Sequence, residues 1–353
     1  MNCDLNDLRI KIDVINSEIL NLINKRIDVI KEIAKLKDEY SIEYFDAERE
    51  SEMLEEILKL NHGPLNNQLI KEIFSSIFLA SLKHMGLASE KKLLVNSDLI
   101  KTCNTIKEIF SLQSDSPIVI AGPCAIEKLE YLDIVAEFLK QKGLKFIRGG
   151  AYKPRTSPYE FQGLREEGLK MLGSISKRYN LYSVTEVVDV RDVALVAEYA
   201  DVLQIGTRNM QNYELLKEIG QTKQPIVLKR GMSATINEFI LAAEYIVSRG
   251  NNNVIMCERG IRTYETKTRN TLDISTIPII KKETQLPIIA DLSHALGRKD
   301  IMNFVARAVL SAGADGIMVE VHPCPELALS DKKQQLNILE FQNLLDFIQC
   351  SLQ

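Results

Sequence analysis

The feature that most restricts this chain is a recurrence. After Ser116, short apolar runs return eight times: PIVIAGP, KFIRGG, LYSVTEV, DVLQIGT, PIVLKRG, NVIMCERG, PIIADLSH and GIMVEVHP. Every run but the last is followed by an amphipathic helix pattern, such as LDIVAEFLKQKG, TINEFILAAEYIVSRG or IMNFVARAVLSAG, and ILEFQNLLDFIQ supplies a final helix after the eighth. Continuous apolar strands alternating with helices predict a parallel sheet covered on both faces. Eight units over roughly 235 residues match the size of a closed (β/α)8 barrel, the TIM barrel, within the α/β class. An open doubly wound sheet is the alternative, disfavoured because no GxGxxG turn follows the first strand.

In such a barrel, chemistry sits where strands end. Reading that edge in order gives Cys124, Arg148, Glu186, Arg208, Lys229, Arg259, His294 and Glu320. One set, Cys124, His294 and Glu320 with Asp331 downstream, mixes thiol, imidazole and carboxylates. That mixture suits a divalent transition ion (Mn, Fe, Co or Zn) better than magnesium. Singly, each has a plainer reading: Cys124 as a small buried thiol, His294 as a hydrogen-bonded core residue, Asp331 as a helix cap. The second set is Arg148, Lys153, Arg155, Arg208, Lys229 and Arg259. Lined up on one cavity, these cations call for a phosphate and further anions. The stretch IRGGAYKPRTSPYEFQG brings three of them with no acid before Glu160.

The cations are a local concentration, because the whole chain carries a net charge of −4. That balance gives no general pull toward nucleic acid or an anionic membrane. The start, MNCDLNDLRIKID, is polar and acidic, and no run reaches the length of a membrane span. Six cysteines lie scattered with no CxxC pair, which predicts reduced thiols in a cytoplasmic protein.

Residues 1–86 read differently. Leu5, Leu8, Ile12, Ile15, Ile19, Leu22, Val29, Ile33 and Leu36 alternate in steps of three and four, which predicts one amphipathic helix of roughly 45 Å. The stripe position after Leu22 is occupied by Arg26, with Arg9 and Lys37 flanking. An arginine on a buried seam needs an anion or an acid opposite it. Either these cations snorkel or pair with acids on a partner helix, or an anionic ligand enters the bundle. Two further helices are expected, over about 46–60 and 66–85, with Asp46, Arg49 and Glu50 clustered in the first turn of the former. Three helices with one very long member make a poor core alone, so a helical dimer is expected. Residues 87–116 show no single period and are assigned to a linker, leaving 117–353 to the barrel.

The motifs LRIKID, INKRIDVIKEIAKLK and FDAERE resemble the small all-helical chorismate mutases. The resemblance implies a pocket for chorismate or prephenate formed by Arg9, Arg26, Lys37, Asp46, Arg49, Glu50 and Ser81, one of them reaching in from a second subunit. At Met85 that family uses glutamine to hydrogen-bond the ether oxygen. A thioether cannot donate, so binding with poor catalysis is implied; the alternative is a bifunctional enzyme whose helical domain is an active chorismate mutase.

AGPCAIE, RGGAYKPRTSPYEFQG, QIGTRNMQNYELLK, LKRGM, CERGIRTYETKTRNTLD, DLSHALGRKD and EVHPCPELALSD resemble 3-deoxy-D-arabino-heptulosonate 7-phosphate (DAHP) synthases of the type fused to a chorismate-mutase-like domain. The resemblance implies condensation of phosphoenolpyruvate with erythrose 4-phosphate, the first step toward the aromatic amino acids. Cys124, His294, Glu320 and Asp331 would hold the metal. Arg208, Lys229 and Arg259 would grip the phosphate of phosphoenolpyruvate, and Arg148 and Lys153 its carboxylate and reaction centre. Pro154, Arg155, Thr156 and Ser157 would meet the erythrose phosphate, where synthases that use arabinose 5-phosphate carry an ANRSS-like stretch. Lys153 and Glu186, with His294, are the expected catalytic groups. Thr207 stands where the family usually has alanine, and Lys332 where it often has a small residue. The implied regulator is chorismate or prephenate at the helical domain, and the implied assembly a homodimer or homotetramer.

Overall fold

A computed structural model describes residues 5–39, 47–84, 93–96, 103–113, 116–155 and 157–349. They fall into two compact units, Met1–Lys92 and Leu93–Gln353.

In the first unit the three–four stripe winds into α1 (Leu5–Glu39), followed by α2 (Ala47–Leu60) and α3 (Asn67–His84). The Asn61 N–H donates to the Leu58 carbonyl at 3.3 Å at the end of α2, and Asn66 Oδ1 accepts the Leu69 N–H at the start of α3, each satisfying an otherwise orphaned helix-end group. Both α1 and α2 pack on α3. The α1 stripe nevertheless stays open: Ile15, Ile19 and Leu22 are 52%, 49% and 64% exposed.

The second unit is a closed parallel barrel, its strands neighbouring in chain order. They are β1 (Ile118–Gly122), β2 (Phe146–Arg148), β3 (Tyr182–Val187), β4 (Val202–Ile205), β5 (Ile226–Lys229), β6 (Val254–Glu258), β7 (Ile288–Asp291) and β8 (Gly316–Glu320), with β1 closing on β8. Side chains alternate along each strand. One phase points in: Ile120, Phe146, Val227, Ile255, Ile289 and Met318 join one apolar cluster. The other phase, including Ile147, Leu203, Leu228, Met256 and Ile317, packs against the surrounding helices.

Part of the expected linker belongs to this barrel unit. Leu94–Asn96 form a single 3-10 turn whose first two N–H groups donate to the Glu244 carboxylate. α4 (Ile106–Phe110) opens with a capping box from Thr105 and Glu108. Its Ile106 and Phe110 enter the inward-facing cluster, and Phe110 meets the Phe146 ring edge-on at 4.7 Å. This short helix therefore plugs the N-terminal end of the barrel and leaves the other end for polar groups.

Candidate active site

Continuing the inward phase one step above the apolar floor gives the site. On β1 to β4 that step is Gly122, Arg148, Glu186 and Gln204; on β5 to β8 it is Lys229, Arg259, Asp291 and Glu320. A cavity of about 320 Å³ opens over this layer. It is lined by all six cations expected from the sequence and by two more, Arg262 and Arg269. Glu160, Glu186 and Asp331 are the only acids among its lining residues, so the field inside is strongly positive. The buried Nε of Arg259 has no hydrogen-bond partner among the described residues, an open donor that suits an anionic oxygen. A larger cavity, about 790 Å³, lies at the barrel's other end beside Phe110 and Tyr182, away from these convergent groups.

Ligand atoms of Cys124, Glu320 and Asp331 lie within 4.8 Å of one another. The His294 imidazole lies beside the two carboxylates but outside that close group of three, its Nε2 3.6 Å from Glu320 Oε1 and 3.9 Å from Asp331 Oδ2. A donor mixture of thiol, imidazole and carboxylates fits a divalent transition ion. Burial, with the neighbouring Glu320 charge, pushes the Cys124 thiol up to about 12. A bound cation is what would make that thiol a thiolate. Burial pulls His294 below the ordinary imidazole range, which keeps Nε2 available as a ligand. Asp331 takes left-handed backbone, φ 48°, which aspartate tolerates.

The two sets interlock. Arg148 donates to Glu320 Oε1 at 2.7 Å, and Lys153 Nζ donates to Cys124 Sγ at 3.1 Å. Asp291 joins the sets from beneath: its Oδ2 accepts from Lys229 and lies 2.8 Å from His294 Nδ1. Burial alone would raise the Asp291 carboxyl, but His294 and Lys229 override it and hold it well below the usual range. Such a carboxylate fixes ring orientation and tautomer for a metal-binding imidazole. Two consecutive glutamines brace the other side. Gln334 donates to Glu320 Oε2 at 2.5 Å and accepts from Arg269, while Gln335 accepts the Cys124 N–H at 3.0 Å.

Glu186 faces the same cavity. Glycine at 206 leaves room for this orientation: a Cβ there would meet Glu186 Oε1 and turn the carboxylate aside. Arg208 arrives on the 3-10 turn Thr207–Asn209, next to Thr207, which also lines the cavity. Arg155 donates to the Phe161 carbonyl at 3.0 Å and to Ser330. Pro154 lines the cavity, but Ser157 is not among its lining residues, and its Oγ accepts the Tyr159 N–H.

In the helical unit the structure joins two of the expected pocket residues. Arg26 Nη1 donates to the buried Ser81 Oγ at 2.5 Å, and its guanidinium lies over the Phe78 ring at 4.7 Å. Arg9 is exposed on α1, Lys37 is half-buried, and Arg49 pairs with Glu52 one turn on at 3.1 Å. Asp46, Met85 and Thr156 lie outside the described residues, as does the side chain of Glu50.

Gln204 and Asp291 are absent from the list of strand-end residues read from the sequence. That list names a polar or reactive group near each strand end, which on β4 and β7 is Arg208 and His294 from the loops beyond. Carrying the strict two-residue alternation past each apolar position finds both. Gln334 and Gln335 follow no strand, and no periodicity marks them.

Comparison with known proteins agrees with this geometry. Residues 100–350 match the DAHP synthetase I family, and residues 8–86 match chorismate mutase type II. A phospho-2-dehydro-3-deoxyheptonate aldolase of Thermotoga maritima is 55% identical over 227 residues, 64% of this chain and 67% of its own. A 2-dehydro-3-deoxyphosphooctonate aldolase of Desulfosudis oleivorans is 28% identical over 65% of this chain and 88% of its own. The crystal structure of the Thermotoga maritima DAHP synthase superposes with a TM-score of 0.65 at 52% identity, covering 67% of this chain and 69% of that one. This chain, with its closed eight-stranded barrel behind an N-terminal chorismate mutase type II domain, belongs to the DAHP synthetase I family.

Proposed function

We propose that the barrel joins phosphoenolpyruvate to erythrose 4-phosphate, giving DAHP and phosphate, with a divalent metal ion held at its mouth. The observation that carries this reading is one cavity in which a dense set of cations is hydrogen-bonded directly to a metal-type donor set, through Arg148–Glu320 and Lys153–Cys124. Arg208, Lys229 and Arg259 take the phosphate of phosphoenolpyruvate, and Arg148 and Lys153 its carboxylate. Arg155, with Pro154 and Thr156, receives the phosphate of the aldehyde, while Ser157 stands outside the cavity lining and holds the Tyr159 N–H. Holding two anions in register makes a bimolecular addition nearly unimolecular.

Cys124, His294, Glu320 and Asp331 would hold the ion, which supplies Lewis-acid polarisation of the aldehyde oxygen when bound. As C3 of phosphoenolpyruvate adds to the aldehyde carbon, that oxygen needs a proton. Lys153 is the donor. Burial alone would lower its pKa, but Cys124 and Glu320 raise it, so the ammonium stays charged until used. Glu186 orders the water that adds at C2, and phosphate leaves from that carbon. Erythrose 4-phosphate is favoured as acceptor over arabinose 5-phosphate by PRTS at Pro154–Ser157.

The helical unit, in this reading, recognises chorismate or prephenate through Arg26 and its neighbours and regulates the barrel. Its open α1 stripe is covered by a second copy, making a homodimer or homotetramer of a cytoplasmic enzyme that binds neither nucleic acid nor membrane.

The test is phosphoenolpyruvate consumption with erythrose 4-phosphate, with and without chelator and prephenate, and with arabinose 5-phosphate as the control acceptor. Turnover that needs erythrose 4-phosphate, stops with chelator and falls with prephenate is expected. Turnover untouched by chelator would remove the metal, and equal use of arabinose 5-phosphate would remove the acceptor assignment.

A further inference from the structure

Lys229 and Arg259 face the cavity, and their chain neighbours Arg230 and Glu258 fall on the opposite phase. Both neighbours are buried behind the strands, 3% and 0% exposed, and neither lines the cavity. Arg230 Nη1 donates to Glu258 Oε2 at 3.0 Å, to Asp273 Oδ2 at 2.9 Å and to Thr276 Oγ1 at 2.7 Å. Its Nε donates to the Ala234 carbonyl at 3.1 Å, and its backbone N–H to that of Cys257 at 3.1 Å. Glu258 Oε1 accepts the Gly260 N–H at 2.6 Å. One guanidinium therefore joins the end of β5, the end of β6, the loop beyond it and the start of the helix Thr276–Glu283.

Stability alone explains this poorly. A buried ion pair loses so much hydration that well-packed apolar residues of the same volume often serve as well or better. The network does something apolar residues cannot: it fixes direction. Each of its two members sits one residue from a cation that faces the cavity. A shift of the β5 end against the β6 end would change the spacing of Lys229 and Arg259, and a multiply charged ligand is sensitive to such spacing.

We infer that Arg230 and Glu258 are positioning residues that set the separation and aim of Lys229 and Arg259 for the phosphate of phosphoenolpyruvate. This rests on the reading of the cavity given above and deepens it. Neither residue touches substrate.

The test uses the full-length, metal-loaded enzyme and Glu258→Gln, which keeps the shape and removes the charge. Calorimetric titration with phosphoenolpyruvate, together with steady-state kinetics, is the readout. Expected is a roughly tenfold weaker Kd and higher KM for phosphoenolpyruvate, with kcat and KM for erythrose 4-phosphate within about twofold of the parent. Arg230→Lys, which keeps a cation but not the fork, should fall between. If Glu258→Gln is insoluble, Asp273→Asn at the network's edge decides, with about a threefold rise in KM for phosphoenolpyruvate alone. Unchanged phosphoenolpyruvate affinity, or equal losses in both substrates alongside a lower Tm, overturns the inference. Failure of the parent enzyme to bind phosphoenolpyruvate would instead overturn the proposed function.

Discussion

The barrel and the helical unit treat charge and apolar surface in opposite ways. In the barrel, Phe146, Leu203, Ile289 and Met318 are almost wholly buried, and the cations above them meet partners within the same chain, as Arg148 meets Glu320 and Lys229 meets Asp291. In the helical unit the apolar seam of α1 is about half exposed from Leu5 to Leu36, and Arg26 sits on that seam with Ser81 and Phe78 around it. A closed sheet supplies its own inside. Three helices with one long member do not, and their apolar face is complete only against another surface. The first region is thus built to hold a fixed geometry within one copy. The second leaves its apolar face for another surface to cover, which is why a second copy is proposed there.

The largest effect should come from breaking the self-sufficient region at its most connected point. Cys124→Ala removes a proposed metal ligand and the Lys153 contact together. A loss of at least ~10³-fold in turnover follows if Lewis-acid stabilisation of several kcal/mol is removed. Metal content after dialysis should fall in parallel, while circular dichroism stays native. Full activity with no bound metal would count against the donor set.

Next is the seam. Ile19→Asp on α1 places a charge where an apolar side chain of about 1.5–3 kcal/mol would be covered. Sedimentation should show at least ~100-fold weaker self-association, with condensation activity within a few-fold of the parent. Unchanged mass would mean that another surface holds the copies together.

Gly206→Ala comes third. The added methyl turns the Glu186 carboxylate away from its place in the cavity, at little cost to stability because only the end of that side chain must move. Turnover should drop ~10-fold or more, with phosphoenolpyruvate affinity less affected, and helical-unit ligand binding should not move. The smallest change is expected at Met85→Gln. Restoring a hydrogen-bond donor there should raise chorismate decay several-fold if the pocket lacks only that group. No rise would count against the missing donor as the cause of poor mutase turnover.

What was legible in the sequence follows from the same contrast. Eight apolar runs separated by helix patterns leave few architectures, so the barrel could be read directly. Its site was half legible. Arg148, Glu186, Lys229, Arg259 and Glu320 end strands on the inward phase, so position along the chain found them. Gln204 and Asp291 share that phase but were passed over in favour of more reactive neighbours. Gln334 and Gln335 act through a loop whose course only tertiary packing decides. In the helical unit the stripe revealed the helix and its interruption at Arg26. It did not reveal that Ser81, 55 residues later, is what the guanidinium meets. Helical periodicity describes one face of one element, not which element lies across from it.

The shared oxygen of Asp291 has a consequence for the order in which the mouth fills. It serves an ammonium on one side and an imidazole on the other, like one hand holding two ropes. An incoming phosphate that draws Lys229 toward itself slackens one rope, and the freed oxygen then steadies His294 alone. A cation settling on the far nitrogen of that ring draws on the same oxygen and loosens its hold on Lys229. If the mouth takes a phosphate at Lys229 and a cation at His294 as proposed, filling either end would prepare the other, and by reciprocity the two affinities would rise by the same factor.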